Sequence, residues 1–242
     1  MDNKNISAII LGAGKGTRMQ SNLPKVMMEV SGKPMIRHII DTLEKMNVSN
    51  IVTVISAEGE LVKNETAPYK TAIQYEQLGT GHAVRCVKGV LDDVNGPVLV
   101  IFGDTPLITE KTFNNIADKI NEGFGVVVLG FRPKDPARYG RLKMEDGELK
   151  SIVEFKDASS DELEIDFCNS GCMGFDGKYL FKILDKIENN NMAKEYYLTD
   201  AVKIARDMGL KCSAIEGDVK EVASANTREE LALLEEYYNQ RK

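Results

Sequence analysis

The chain has 242 residues, with 31 Lys and Arg against 37 Asp and Glu and a formal net charge of −6. That length is enough for one large α/β domain with a full core. An acidic balance argues against long nucleic acid or an anionic membrane as partner, and no apolar run reaches bilayer-spanning length. Residues 6–10 (Ile-Ser-Ala-Ile-Ile) have the pattern of a strand buried on both faces of a parallel sheet. They open into Leu11-Gly12-Ala13-Gly14-Lys15-Gly16-Thr17-Arg18-Met19, followed by Leu23-Pro24-Lys25. Glycines let successive N–H groups converge on an anion, and Lys15, Arg18 and Lys25 add cations, so the loop suits a small polyanion. It is neither a Walker loop, because Gly16 follows Lys15, nor a dinucleotide fingerprint, because Thr17 stands where the third glycine belongs.

Pro34 can occupy the first turn of a helix whose Met35, Ile36, Ile39, Ile40, Leu43 and Met46 share one face, with His38 expected at the surface. Residues 51–55 read as a second parallel strand and 71–75 as a third, leading through Gln77-Leu78-Gly79-Thr80-Gly81-His82 into another helix. Residues 98–102 read as the central strand, ending in Gly103-Asp104. Ligands of open α/β sheets collect at such carboxyl ends, so Asp104 is either part of a metal site or a solvated strand-end carboxylate. In the second half, segments 139–144 and 149–155 flank Asp146-Gly147, a hairpin signal. Alternation along its second arm puts Val153 and Phe155 on one face and Glu154 and Lys156 on the other. That pairing fits a sugar-phosphate platform or an ordinary charge pair. Residues 167–171 read as a further strand of this mixed region. Helical patterns follow at 177–188 and 199–208, and a last helix runs from Asn226 or Thr227 to the end. Cys86, Cys168, Cys172 and Cys212 have no framework spacing, so free thiols in a reducing cytoplasm are expected.

The first loop, with Arg18 and Pro24-Lys25 in register, resembles the signature loop of the sugar-nucleotide pyrophosphorylases. Further segments resemble the branch that transfers uridylyl groups to N-acetylglucosamine 1-phosphate. They are residues 76–83, 102–107, Tyr139-Gly140-Arg141, 153–158 and Glu195-Tyr196-Tyr197-Leu198-Thr199-Asp200, with Asn169 and Asn226. The resemblance implies a Rossmann-like nucleotidyltransferase fold, α/β, with a mostly parallel layered sheet and a mixed β region for the sugar. It implies one domain over 1–242, with a nucleotide half at about 1–110, a sugar half at about 111–225 and a C-terminal helix at about 226–242. Leu11, Gly12, Ala13 and Gly14 would present backbone to the nucleotide, while Arg18 and Lys25 would bind phosphates. Gln74, Gly79 and Thr80 would read the uracil. Asp104 and Asn226 would hold one Mg²⁺. Gly140, Glu154, Asn169, Tyr197 and Thr199 would line the sugar pocket.

The implied substrates are UTP and a sugar 1-phosphate, and no classical base is needed. Departures from the branch pattern are Phe102 for a tyrosine, Phe155 for a histidine, Ala193-Lys194 for glutamine-glycine and Ser170 for a threonine. They bear on the exact sugar and not on the reaction; the alternatives within the enzyme class are N-acetylmuramic acid 1-phosphate with UTP and glucose 1-phosphate with dTTP. Outside it stands a non-catalytic sugar-nucleotide sensor, against which the presence of Arg18, Lys25, Asp104 and Asn226 argues. Bifunctional members continue into a β-helix of hexapeptide repeats. None occurs in these 242 residues, so a single-function enzyme or a catalytic domain cut from a longer protein is expected. Oligomeric state is not legible.

Overall fold

A computed structural model describes residues 5–14, 23–48, 50–91 and 94–241. The first apolar run forms β1 (Ser7–Leu11), buried along its whole length. β2 (Glu29–Val30) and β3 (Lys33–Pro34) form a small antiparallel ribbon leading into α1 (Met35–Lys45). Pro34 caps α1 from outside rather than sitting in its first turn. The six apolar residues expected on its inner face are all buried. β4 (Asn50–Ser56) lies parallel to β1, α2 (Glu60–Glu65) turns the chain back, and β5 (Lys70–Gln74) lies parallel to β4. α3 (Thr80–Arg85) then leads to β6 (Pro97–Phe102), which flanks β1 on its other side, also parallel. The carboxyl ends of β1, β5 and β6 therefore open onto one edge of the sheet, where the loops that follow them meet.

α4 (Glu110–Asn121) starts at Thr109, whose hydroxyl accepts from the Thr112 N–H at 3.3 Å, a side-chain N-cap. After β7 (Val126–Phe131) comes the hairpin of β8 (Arg141–Glu145) and β9 (Glu148–Val153). The short α5 (Ser160–Leu163) precedes the long β10 (Cys168–Asp176). α6 (Gly177–Leu184), α7 (Asp200–Asp207), β11 (Cys212–Glu216) and α8 (Arg228–Asn239) complete the order. One nine-stranded sheet results, in the order β11-β7-β10-β6-β1-β4-β5, with β8 paired to β10 and β9 to β8. β10 runs antiparallel to both β6 and β7, so the sheet changes from parallel to mixed at the strand next to the centre. Helices on both faces bury two apolar clusters, and a third forms where Leu234 of α8 meets Val30 and Met35.

Two further sequence expectations are corrected. His38 is buried, 7% exposed, with Nε2 2.8 Å from the Val30 carbonyl and its ring edge-on to Tyr238 at 4.8 Å. Helical periodicity placed it beside the apolar face, but β2 and α8, the latter from the far end of the chain, cover it. Burial accordingly pulls its imidazole below the usual range. Second, β9 ends at Val153, and the Asp157 N–H closes a turn onto the Glu154 carbonyl at 2.9 Å. Glu154 and Lys156 therefore do not share a sheet face, and no platform of the expected kind exists there.

Candidate active site

The loops at the carboxyl edge enclose a cavity of about 300 Å³. Its floor is the backbone after β1, pinned by Gly12 N–H to the Val54 carbonyl at 2.8 Å and by Gly103 N–H to the Leu11 carbonyl at 3.0 Å. Leu11, Ala13 and Gly14 border the space, and Gly12 supports them from behind. Lys25 enters from a short 3₁₀ helix, Lys25–Met27, that starts after Pro24. Its ammonium forms an ion pair with Asp104, and both side chains are only about one-sixth exposed, at 16% and 17%. The same ammonium donates to Asn226 Oδ1 at 2.7 Å. The strand-end carboxylate and the amide that precedes α8 thus converge on one cation, although 122 residues separate them in sequence. Arg18, expected beside Lys25 on the phosphates, lies outside the described residues.

At the other end of the cavity are Gln74, Gly79 and Thr80. Gly79 has φ +112°, and a Cβ there would stand 2.7 Å from the Tyr196 carbonyl, so this approach demands glycine. The loop is laced to the chain that carries the expected sugar residues. Tyr196 N–H donates to the Leu78 carbonyl, Gly81 N–H donates to the Tyr196 carbonyl, both at 2.8 Å, and Leu198 N–H donates to Thr80 Oγ1 at 3.0 Å. Thr80's hydroxyl oxygen thus gives one of its two lone pairs to the fold and keeps its proton and a second lone pair.

The residues expected to line a sugar pocket also gather. Thr199 Oγ1 donates to Glu154 Oε1 at 2.9 Å, and Asn169 N–H donates to the Gly140 carbonyl at 2.8 Å. Gly140 faces the same carboxylate, 3.5 Å from where its Cβ would be. Asn169 Oδ1 accepts from the Gly171 N–H at 2.9 Å, and among the described residues no acceptor takes up its NH₂. Glu154 and Tyr197 border a second recess of about 510 Å³, together with Asp157 and Asp200. Burial pushes the Glu154 carboxyl above its ordinary range; neighbouring Asp157, Asp200 and Glu195 add to this, and the Thr199 hydroxyl opposes it. Burial and the same carboxylates push the Tyr197 hydroxyl up to about 12. Such a group is a neutral hydrogen-bond partner, not a base. Phe102 joins the two regions: it borders the first cavity, and its ring lies against Gly171, where φ is +89° and a Cβ would be 2.3 Å from the ring.

Arg141, the last residue of the Tyr139-Gly140-Arg141 motif, has a structural role that the sequence does not announce. Arg141 is 3% exposed and spends its guanidinium on the carbonyls of Pro136, Ala137, Tyr139 and Leu163, which holds the turn before Gly140 in place. Glu195 also borders the first cavity and was given no role. Among the described residues no set of three or more His, Cys, Asp or Glu side chains is gathered as for a metal, and no helix is long and apolar enough to cross a membrane. The four cysteines are free, with Cys168, Cys172 and Cys212 buried.

Residues 8–149 match the family model described as the MobA-like NTP transferase domain, more than half of the chain. The chain belongs to that family. Among curated relatives of this NTP transferase, the bifunctional protein GlmU of Paramagnetospirillum magneticum is 45% identical over 237 residues, 97% of this chain and 53% of its own length. That of Rhodospirillum rubrum is 46% identical over 231 residues, 95% and 52% respectively. The chain thus spans about half the length of the curated relatives it matches. Among solved structures, a putative glucose-1-phosphate thymidylyltransferase from Bacillus anthracis superposes with TM-score 0.76 at 19% identity, covering 95% of both chains. A UDP-glucose pyrophosphorylase complexed with UDP-glucose gives TM-score 0.74 at 16% identity, covering 98% of this chain and 99% of its own. At these identities the structural likeness carries the fold, and the fold is the nucleotidyltransferase one expected from sequence.

Proposed function

We propose that this NTP transferase moves a uridylyl group from UTP to N-acetylglucosamine 1-phosphate, giving UDP-N-acetylglucosamine and pyrophosphate, in a cytoplasmic setting. The observation that carries the reading is the meeting of Asp104 and Asn226 on the Lys25 ammonium, in a cavity whose other end is the Gln74–Gly79–Thr80 loop. The likeness to GlmU proteins over nearly the whole chain supports the choice of substrates.

A sugar 1-phosphate is already largely dianionic near neutral pH, since the second pKa of a phosphate monoester is about 6. Its oxygen can attack the α-phosphorus of UTP in line without a general base. Repulsion between two polyanions and charge on the leaving pyrophosphate then set the barrier, and positioning with electrostatic stabilisation lowers it. Lys25 supplies one cation at that place, and Arg18 is assigned a second. The nucleotide half would run over about 1–110 and the sugar half over about 111–225, with Glu154 accepting from sugar hydroxyls and the Asn169 NH₂ donating to the acetamido carbonyl.

Asp104 and Asn226 suit Mg²⁺. They offer one carboxylate and one amide oxygen, hard donors already directed at a shared cation, and Mg²⁺ usually takes only one or two protein ligands. When bound there it would screen the phosphates from each other. The test is pyrophosphate release from a matrix of nucleoside triphosphates and sugar 1-phosphates with Mg²⁺. UTP with N-acetylglucosamine 1-phosphate should lead, and a clear preference for dTTP with glucose 1-phosphate would overturn the reading.

A further inference from the structure

His82 has no part in the reading above, yet it touches the residue assigned to the base. Gln74 ends β5, is 4% exposed and borders the cavity. Its amide nitrogen lies 3.2 Å from the Gly79 carbonyl and 3.2 Å from His82 Nδ1. A carbonyl oxygen only accepts, so the amide atom facing Gly79 must be the NH₂. Both its hydrogens are then committed, one to Gly79 and one to the imidazole. Nδ1 must accept, which fixes a neutral ring with its proton on Nε2. The Tyr196 ring lies 6.3 Å from the imidazole centroid, and Arg85 stacks over that tyrosine at 4.9 Å, so the histidine is backed by packed groups. No hydrogen bond to Gln74 Oε1 comes from any described residue, which leaves the amide oxygen for the cavity.

We propose that His82 is a positioning residue for base selection: its Nδ1 and the Gly79 carbonyl lock the Gln74 amide with the oxygen toward the nucleotide. An amide oxygen so placed accepts from a base whose ring nitrogen carries a proton, as in uracil. It meets a bare lone pair in cytosine, and neither atom can donate. With the imidazole acceptor gone, one anchor of the amide remains and the inverted orientation becomes accessible. The inference rests on the proposed uridylyl transfer.

The experiment measures kcat/KM for UTP and CTP with N-acetylglucosamine 1-phosphate in the parent, His82→Phe and His82→Asn. Phenylalanine keeps a ring but removes the acceptor, whereas asparagine can return an oxygen near the Nδ1 position. His82→Phe should lower the UTP-over-CTP ratio by about three- to tenfold, the worth of one hydrogen bond. KM for the sugar phosphate should stay unchanged, and His82→Asn should recover most of the ratio. A His82→Phe ratio within about twofold of the parent, or an equal loss in both variants, overturns the proposal. A parent without preference for UTP would instead sink the reading on which it rests. Should the phenylalanine variant not fold, ¹⁵N-histidine spectra of the parent decide. The protein has two histidines, and His82→Asn identifies the signal. An Nε2–H tautomer at His82 is required, and an Nδ1–H tautomer refutes it.

Discussion

Replacing Asp104 by asparagine keeps the shape of the side chain and removes one negative charge from the place where Lys25 and Asn226 meet. The pair is about five-sixths shielded from water, with side-chain exposures of 16% and 17%, but it opens onto the cavity, so neither the bulk-water nor the dry-interior limit applies. At an effective dielectric constant of about 20, a unit charge acting across about 4 Å is worth about 4 kcal/mol. Expressed wholly in the barrier, that amounts to about 10³ in rate. Screening through the open mouth takes part of it back, which leaves about 10²–10³, the range seen when one preorganised electrostatic group is lost. Asn226→Ala removes a neutral oxygen and should cost about tenfold. The assay is pyrophosphate release at saturating UTP and sugar 1-phosphate with excess Mg²⁺, alongside circular dichroism and thermal melts. EDTA should abolish turnover, and added Mg²⁺ should restore it. The fold should survive in both variants, because Lys25 keeps an oxygen partner in each. A folded Asp104→Asn protein with kcat within about threefold of the parent would refute the electrostatic argument.

Asn169→Asp retains the oxygen that accepts from Gly171 and deletes the NH₂ donor, so the backbone turn should hold while preference for N-acetylglucosamine 1-phosphate over glucose 1-phosphate falls by about tenfold or more. An unchanged preference would remove Asn169 from sugar recognition. Glu154 gives a pH signature: its raised carboxyl pKa, caused first by burial, means that the folded state holds this proton more tightly than the unfolded state. Its contribution to stability is therefore full below the ordinary carboxyl range and is lost as pH rises through the raised value. Glu154→Gln should melt above the parent at about pH 8 and converge with it near pH 4, while losing sugar affinity; a pH-independent difference would contradict the shift. Lys194 sits at φ +57° where the related enzymes are expected to carry glycine. Lys194→Gly should relieve about 1 kcal/mol of left-handed strain, part of which the freer unfolded chain takes back, and raise Tm by about 1–3 °C. A lowered Tm would show that the turn is not strained.

Chain order made much of the fold legible. Residues 6–10, 51–55 and 98–102 are nearly pure apolar runs rich in β-branched residues, a pattern that suits strands covered on both faces, which β1, β4 and β6 are. Asp146-Gly147 fixed the hairpin because only a tight turn uses φ of +52° and +79° in succession. The misjudged residues fail for two reasons: a distant segment covers one, and a local turn ends the strand before the other. His38 reads as surface until α8 packs beside it. Glu154 reads as part of an alternating strand until a turn intervenes, and its environment then comes from the distant Thr199 as well as from nearby Asp157. The likeness to a known loop and its accompanying motifs nominated the site residues. It did not reveal that Lys25 bridges Asp104 and Asn226, or that Arg141 is consumed by backbone carbonyls.

The lacing of residues 78–81 to 196–198 bears on how two polyanions are brought into register. Three hydrogen bonds, two of them backbone to backbone, join the loop assigned to the base to the segment that carries Tyr197 and Thr199. A base-reading loop on a flexible tether would let the α-phosphorus wander relative to the sugar phosphate, and an offset of about 1 Å can cost about 10² in rate. On the proposed roles, seating the nucleotide and seating the sugar would be referred to one hydrogen-bonded frame. Gly79 is what allows that frame to close, since any side chain there would meet the Tyr196 carbonyl at 2.7 Å. On the roles proposed above, glycine at position 79 would matter beyond its N–H group, because it fixes how closely the 78–81 loop approaches the 196–198 segment.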